Sequence, residues 1–511
     1  MKVTEQKITD FLIDDFHFLH QYAEGTKNLT WFLRGLLKED IAGQQLPSKS
    51  FKSHRTQKPS SVQGCIMAVL IFMSSQKVNA FQTVMGLFLH STGCLKRVIE
   101  VLSGLGLSVS YSQVQKVLQS LTKDEQEQIK EAVMKYEWYV MYDNINITNK
   151  HHHQRANKRD TFNNGTAATL ILFPSDKDQP PAAPPALFCP EDKRPAPTVE
   201  LFFPKHVDLK VFQQVSQSHV SAAILQSLPE GSTALGIPIV PIKKLNRHKT
   251  ALFPLQTMKL NESTIAGNLA VLERITQVSL QLPKSWFANP KNTIFAGDQM
   301  SVSRLLTLKV HCIVNTDPYH SLAWVHPTLQ LFHLSMNLCG TIFRTHYGIP
   351  VSPGSLASIN IFLGCKCLSK EKQEFKSADE LLRIVFDVMV QMLCESLQQG
   401  SISDELDIPK FTETITSSFC GLPSPLLFGL PCTTANTNAL LFLHDVVVHI
   451  ELTEATKAGD IGCISHLLPI ITLMMHGRGN TNYALELLHL LYGICHLWAD
   501  EWATRVLSSM L

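Results

Sequence analysis

The chain has 511 residues, enough for about two to four domains with substantial cores. Hydrophobic residues make up 45% of it and charged residues only 17%, a balance that excludes disorder on a large scale. Lys plus Arg at 45 against Asp plus Glu at 43 leave a net charge of +2, so any grip on nucleic acid must come from local patches and not from the field of the whole molecule.

In chain order, residues 1–50 carry apolar positions at helical spacing, with Phe11, Leu12, Phe16, Leu19 and Tyr22 in one stripe, and predict a helical segment. Residues 51–61 are polar and basic without periodicity and predict a linker. Residues 62–136 read as helical throughout. Within them an apolar-periodic helix at Leu95–Leu102, a glycine break at Ser103–Leu107 and a capping box of Ser110 with Gln113, opening a helix through Leu118, draw a helix-turn-helix outline. Its second helix would offer Gln113, Gln115 and Lys116 to DNA, against the alternative of an ordinary helical hairpin.

At Trp138 the texture turns β-prone. Tyr139–Thr148 predicts a strand passing from buried to half-buried surroundings, and Thr166–Phe173 a second, forming a hairpin with a long polar tip. Eight prolines in 174–198 predict a surface loop. Helical patterns follow at Leu209–Leu228 and Ile265–Leu280, then a strand at Thr293–Ala296 ending in Gly297-Asp298. From Trp324 to Ile450 the pattern is helix-like again, and a last helix is expected at Asn482–Trp498.

The twelve cysteines are scattered, and Cys365 with Cys367 lacks a second ligand pair, which argues against a zinc finger or disulfide framework and for reduced thiols in a nuclear or cytoplasmic protein. The charged N-terminus predicts no secretory leader, and the longest apolar run, Cys65–Met73, predicts no membrane span.

Three acids stand where acids are disfavoured. Asp143 lies in an apolar strand, Asp298 at the carboxyl end of another, and Glu486 in an apolar helix between Leu485 and Leu487. Two aspartates on strands and a later helical glutamate are the ingredients of an RNase H-like active site, where the acids hold a pair of divalent cations. Hard oxygen ligands suit Mg²⁺ or Mn²⁺. The competing interpretation is structural, with both aspartates capping turns or helices and Glu486 solvated. Arg155, Lys158 and Arg159, just beyond the first strand, would suit a phosphate backbone approaching Asp143, as would the basic run Lys243–Lys249. Three adjacent histidines, His151–His153, are better placed in a mobile loop than around one ion. His333 is expected to pack inside the helical region, with an auxiliary active-site role as the alternative. No phosphate-binding GxxxxGK[ST], GxSxG or HExxH motif occurs.

The segments Tyr142-Asp143-Asn144-Ile145-Asn146, Asp160-Thr161-Phe162 with Gly165–Thr169, Gly297–Val302, Leu331-Phe332-His333-Leu334, Ala458-Gly459-Asp460 and Asn482–Glu486, in this order, resemble a eukaryotic domain-of-unknown-function family found in fungi and animals and derived from DNA transposons. The resemblance covers roughly Ser60 to the C-terminus. It implies a cut-and-paste transposase ancestry, with Asp143, Asp298 and Glu486 at the acidic triad and helices between the second and third acids like the insertions of many eukaryotic transposases. Relatives usually continue further beyond the third acid, so the end at Leu511 is expected to mark a truncated or decayed copy.

The fold expected is therefore α+β and mostly helical: an N-terminal helical region, an RNase H-like core over 137–320, a helical insertion over 321–455, and C-terminal helices over 456–511 completing the core. The function expected is metal-dependent DNA phosphodiester cleavage and strand transfer by Asp143, Asp298 and Glu486. DNA is the expected partner, a membrane is not, and self-association is left open. The rival is a domesticated DNA- or protein-binding module without catalysis.

Overall fold

A computed structural model describes residues 59–149, 161–173, 196–228, 236–288, 292–352, 355–365, 368–399 and 407–511. The segment expected at 1–50, the linker up to Lys58, His151–His153, Arg155, Lys158, Arg159 and the proline-rich loop up to Arg194 lie outside the described residues. The chain divides into two compact units, residues 1–128 and 129–511.

In the first unit, helices α1 (Pro59–Ser74), α2 (Ala80–Ser91) and α3 (Lys96–Gly104) precede α4 (Tyr111–Lys135). The glycine break forms as a tight turn, with Gly106 at φ +74°, a backbone conformation that a side chain would strain. Ser110 Oγ then accepts the Gln113 N–H at 3.3 Å and caps α4. Val114, Val117 and Leu118 pack with Ile99 and Leu87, so the helix pair shares a small core of its own. Gly86 allows this approach, because a Cβ there would lie 2.8 Å from a Val114 methyl. The second helix does not end at Leu118 as expected. Its wet face stays at helical period through Lys123, Asp124 and Glu131, no Gly or Pro interrupts it, and it runs to Lys135.

The second unit is built on one mixed sheet. Strands β1 (Trp138–Asn149) and β2 (Thr161–Leu172) form the expected antiparallel hairpin, with Trp138 opposite Leu172 and Asp143 opposite Ala167. Helix α5 (His206–Gln226), strand β3 (Leu252–Pro254), helices α6 (Ile265–Glu273) and α7 (Lys284–Ala288), strand β4 (Thr293–Gly297), helix α8 (Gln299–Cys312) and strand β5 (Val325–Leu329) follow. The sheet order is β3-β2-β1-β4-β5. β4 runs parallel to β1 and β5 parallel to β4, leaving β2 alone antiparallel to the rest. Alternation along β1 sends Trp138, Val140 and Tyr142 to one core with Leu272, Phe287 and Trp324. Tyr139 joins the other, larger core, shared with Ile171 and Ile294.

β5 corrects the helical reading of Trp324–Ile450. Val325-His326-Pro327-Thr328-Leu329 shows no alternation, and its proline argues against a strand. β5 lies at the sheet edge, where a missing ladder N–H is tolerated. Thereafter the chain is helical: α9 (Leu331–His346), α10 (Leu356–Leu363), α11 (Phe375–Gln399), α12 (Ile408–Cys420), α13 (Thr434–Ala458), α14 (Ile461–Gly477), α15 (Thr481–Tyr492) and α16 (Asp500–Ser509). The last expected helix is shorter than Asn482–Trp498, ending at Tyr492 in a widened turn. Buried His–carboxylate pairs tie these helices to one another and to α5, among them His346 to Asp445 at 2.6 Å and His219 to Glu451 at 2.6 Å. The fold is mostly helical with a small mixed sheet, and among the described residues no helix is long and apolar enough to cross a membrane.

Candidate active site

Two aspartates meet at the centre of the sheet. The parallel register pairs Val140 with Phe295 and Met141 with Ala296; carried two residues on, it sets Asp143 beside Asp298. Neighbouring strands are about 4.8 Å apart, so the two positions are adjacent. The chain leaves β1 toward β2 on one side and β4 toward β5 on the other, which opens a crevice at the carboxyl ends of the two central strands.

Asp298 is the first residue past β4 and the N-cap of α8, its Oδ1 accepting the Ser301 N–H at 2.7 Å. Asp143 is half exposed and accepts the Asn144 N–H at 2.7 Å through Oδ1, while its Oδ2 lies 3.6 Å from His333 Nε2. The imidazole holds Asp143 below the usual carboxylate range. Asp143 in turn raises His333, helped by the charges of Asp298 and Glu262. His333 thus corrects the expectation that it packs inside the helical region. It sits in the first turn of α9, directly after β5, and faces Asp143 because the edge strand delivers it there.

Glu262 was not anticipated. It lies in the loop before α6, only 3% exposed. Its Oε1 accepts from Ser301 Oγ at 3.4 Å, and its Oε2 is buried without a partner. Its main-chain carbonyl accepts from Asn268 Nδ2 and from Arg304 Nη1 at 3.4 Å, and Asn268 Oδ1 accepts the Tyr142 hydroxyl at 2.8 Å. Burial, then the charges of Asp298 and Asp143, push the Glu262 carboxyl up to about 7. In sequence it is an acid in the polar run Asn261-Glu262-Ser263-Thr264, which looks like helix-capping chemistry. The cap is in fact Thr264, whose Oγ1 accepts the Gly267 N–H at 2.9 Å.

Glu486 lies on α15, buried, with Oε2 3.7 Å from His489 Nδ1. One turn earlier on the same helix, the Tyr483 hydroxyl accepts from Asn337 Nδ2 at 2.8 Å. Burial and then the Asp298 charge push the Tyr483 phenol up to about 12. Among the described residues, the carboxylates that act on one another and on His333 are Asp143, Glu262 and Asp298, while Glu486 engages His489. No three His, Cys, Asp or Glu side chains among the described residues are gathered into a ready metal-ligand set.

Of the residues expected at DNA, Lys116 is exposed and Gln113 and Gln115 are half-buried on α4, in the first unit. The basic run Lys243–Lys249 is largely exposed, and its start is pinned because the main-chain N–H groups of Ile242 and Lys243 donate to the Asp460 carboxylate at 2.8 and 2.9 Å.

The chain belongs to a family of unknown function, DUF6589, which matches residues 191–511 and so takes in Glu262, Asp298, His333 and Glu486 but not Asp143. No curated protein and no solved structure matches the chain.

Proposed function

We propose that the chain is a transposase-like enzyme that cleaves and rejoins DNA phosphodiester bonds with Mg²⁺ or Mn²⁺ at Asp143 and Asp298. The observation that carries this reading is the register: two aspartates at matching positions on neighbouring parallel strands, facing the crevice where the strand connections diverge. The sheet order, with only β2 antiparallel, is the arrangement of RNase H-like cores and supports that likeness. The donors fit a hard cation. All are carboxylates, and the Oε2 of Glu262 is buried with no partner to offset it.

Held there, divalent cations supply an activated attacking oxygen and a stabilised leaving oxygen. The protein's own groups do the rest. Asp298 is fixed by its cap bond to Ser301, so its remaining oxygen is presented to the crevice without rotamer freedom. His333 beside Asp143 offers a protonated imidazole to an anionic backbone. Full-length protein should nick supercoiled DNA only with Mg²⁺ or Mn²⁺, and Asp143→Asn and Asp298→Asn should each abolish nicking. Cleavage that persists in both variants would overturn the proposal. The pairing of Glu486 with His489 favours the rival, a module that binds DNA or protein without catalysis, and DNA binding without nicking by the wild type would select it.

A further inference from the structure

We infer that Glu262 is the third cation-holding acid of this centre, in the place that sequence reasoning gives to Glu486. This rests on the proposed metal-dependent function and deepens it. Glu262 belongs to a continuous chain of contacts that reaches both aspartates. Tyr142, next to Asp143, donates to Asn268; Asn268 donates to the Glu262 carbonyl; Ser301 Oγ donates to the Glu262 carboxylate; and the Ser301 N–H donates to Asp298. One residue of α8, Ser301, therefore holds two of the acids in fixed relation, and the Glu262 backbone is pinned from α6 and from Arg304. The side chain cannot swing out to water.

That placement leaves Oε2 of a carboxylate buried and unpaired, which costs roughly 1–3 kcal/mol for a neutral polar group and more for a charged one. Among the described residues no Lys or Arg forms an ion pair with Asp143, Glu262 or Asp298; Arg304 spends its Nη1 on the Glu262 main chain. A bound cation is the compensation that this arrangement lacks. Glu486 has no such need, since its Oε2 already has His489 as its partner.

The test is Mn²⁺ binding, read from the free-ion electron paramagnetic resonance signal, on the full chain and on Asp143→Asn, Asp298→Asn, Glu262→Gln and Glu486→Gln, with circular dichroism on each. Glu262→Gln should weaken Mn²⁺ binding at least about tenfold, the scale seen when even an outer partner of a metal ligand is removed. Glu486→Gln should change it less than about threefold, less than that outer-partner scale. The opposite ranking would overturn the assignment and leave the proposed function standing. Wild type that takes up no Mn²⁺, or takes it up equally well in both aspartate variants, would remove the proposed function itself. If Glu262→Gln fails to fold, Glu262→Asp keeps the charge but withdraws it by one methylene. It must then show the tenfold loss, and binding at the wild-type level would refute the assignment.

Discussion

Asp298 serves two masters, the helix it caps and the crevice it faces, and two substitutions separate them. Asp298→Ala removes the side-chain oxygen that accepts the Ser301 N–H, which costs about 1 kcal/mol for a typical N-cap. Asp298→Asn keeps that oxygen, and Asn caps as well as Asp. What it loses is a negative charge at the start of α8, worth roughly 0.3–1 kcal/mol. Relief of the repulsion that Asp298 exerts on buried Glu262 acts in the opposite direction, so the two small effects oppose each other. Urea unfolding should therefore place Asp298→Asn within about 0.5 kcal/mol of wild type and Asp298→Ala about 1 kcal/mol below it. The cation-dependent nicking rate should nevertheless fall at least a hundredfold in both, roughly the upper end of the loss for removing an outer partner of a metal ligand. An Asp298→Asn protein as unstable as the alanine variant would refute the cap argument. One that keeps a tenth of the nicking rate would refute the site.

His326 on β5 lies between the Trp498 and Trp502 rings at 5.0 and 5.3 Å, with its Nε2 shut away from water and unpaired. Burial, then the nearby Lys309 charge, depress the imidazole to about 3. Its folded value lies below its unfolded one, so the associated stability is complete above about pH 6.5 and is lost as pH falls toward 3, to a limit of about 4 kcal/mol. His326→Leu should flatten urea-unfolding stability between pH 6.5 and 4 relative to wild type, and equal slopes would refute this. On α4, Lys116→Ala should weaken binding to all DNA sequences alike and reduce the salt slope by about one, while Gln115→Ala should relax sequence preference. DNA affinity indifferent to both would show that this helix pair is only scaffold.

The parts of the site that sequence displays are those where local pattern and tertiary role coincide. The hairpin shows in β1 because Tyr139, Val140, Met141 and Tyr142 are β-prone and buried. Asp298 shows because a strand end, a glycine and a helix start fall in consecutive residues. Glu262 does not, since its burial is created by α6, α8 and β1 closing over a loop whose own composition is polar. β5 does not either, because Pro327 is forbidding only in a strand paired on both sides and nothing local tells that this one is at the edge. His333 follows from β5: without the edge strand there is no way to see that the start of α9 is aimed at Asp143.

The central pair of strands also sets a timetable. β1 and β4 are neighbours in the sheet, yet roughly 155 residues of chain separate Asp143 from Asp298. At about 5–20 residues per second, a ribosome takes on the order of 8–30 s to make that stretch. Throughout it, the side of β1 that will receive β4 has no partner, and an open strand edge invites pairing with other chains. The residues on this edge near the crevice are Asp143, Asn144 and Asn146, charged or amide side chains that fit poorly into a foreign apolar sheet. A charge at position 143 would thus protect the nascent chain before there is any crevice for it to serve, and a substitution that removes it would be felt first as lower soluble yield during synthesis.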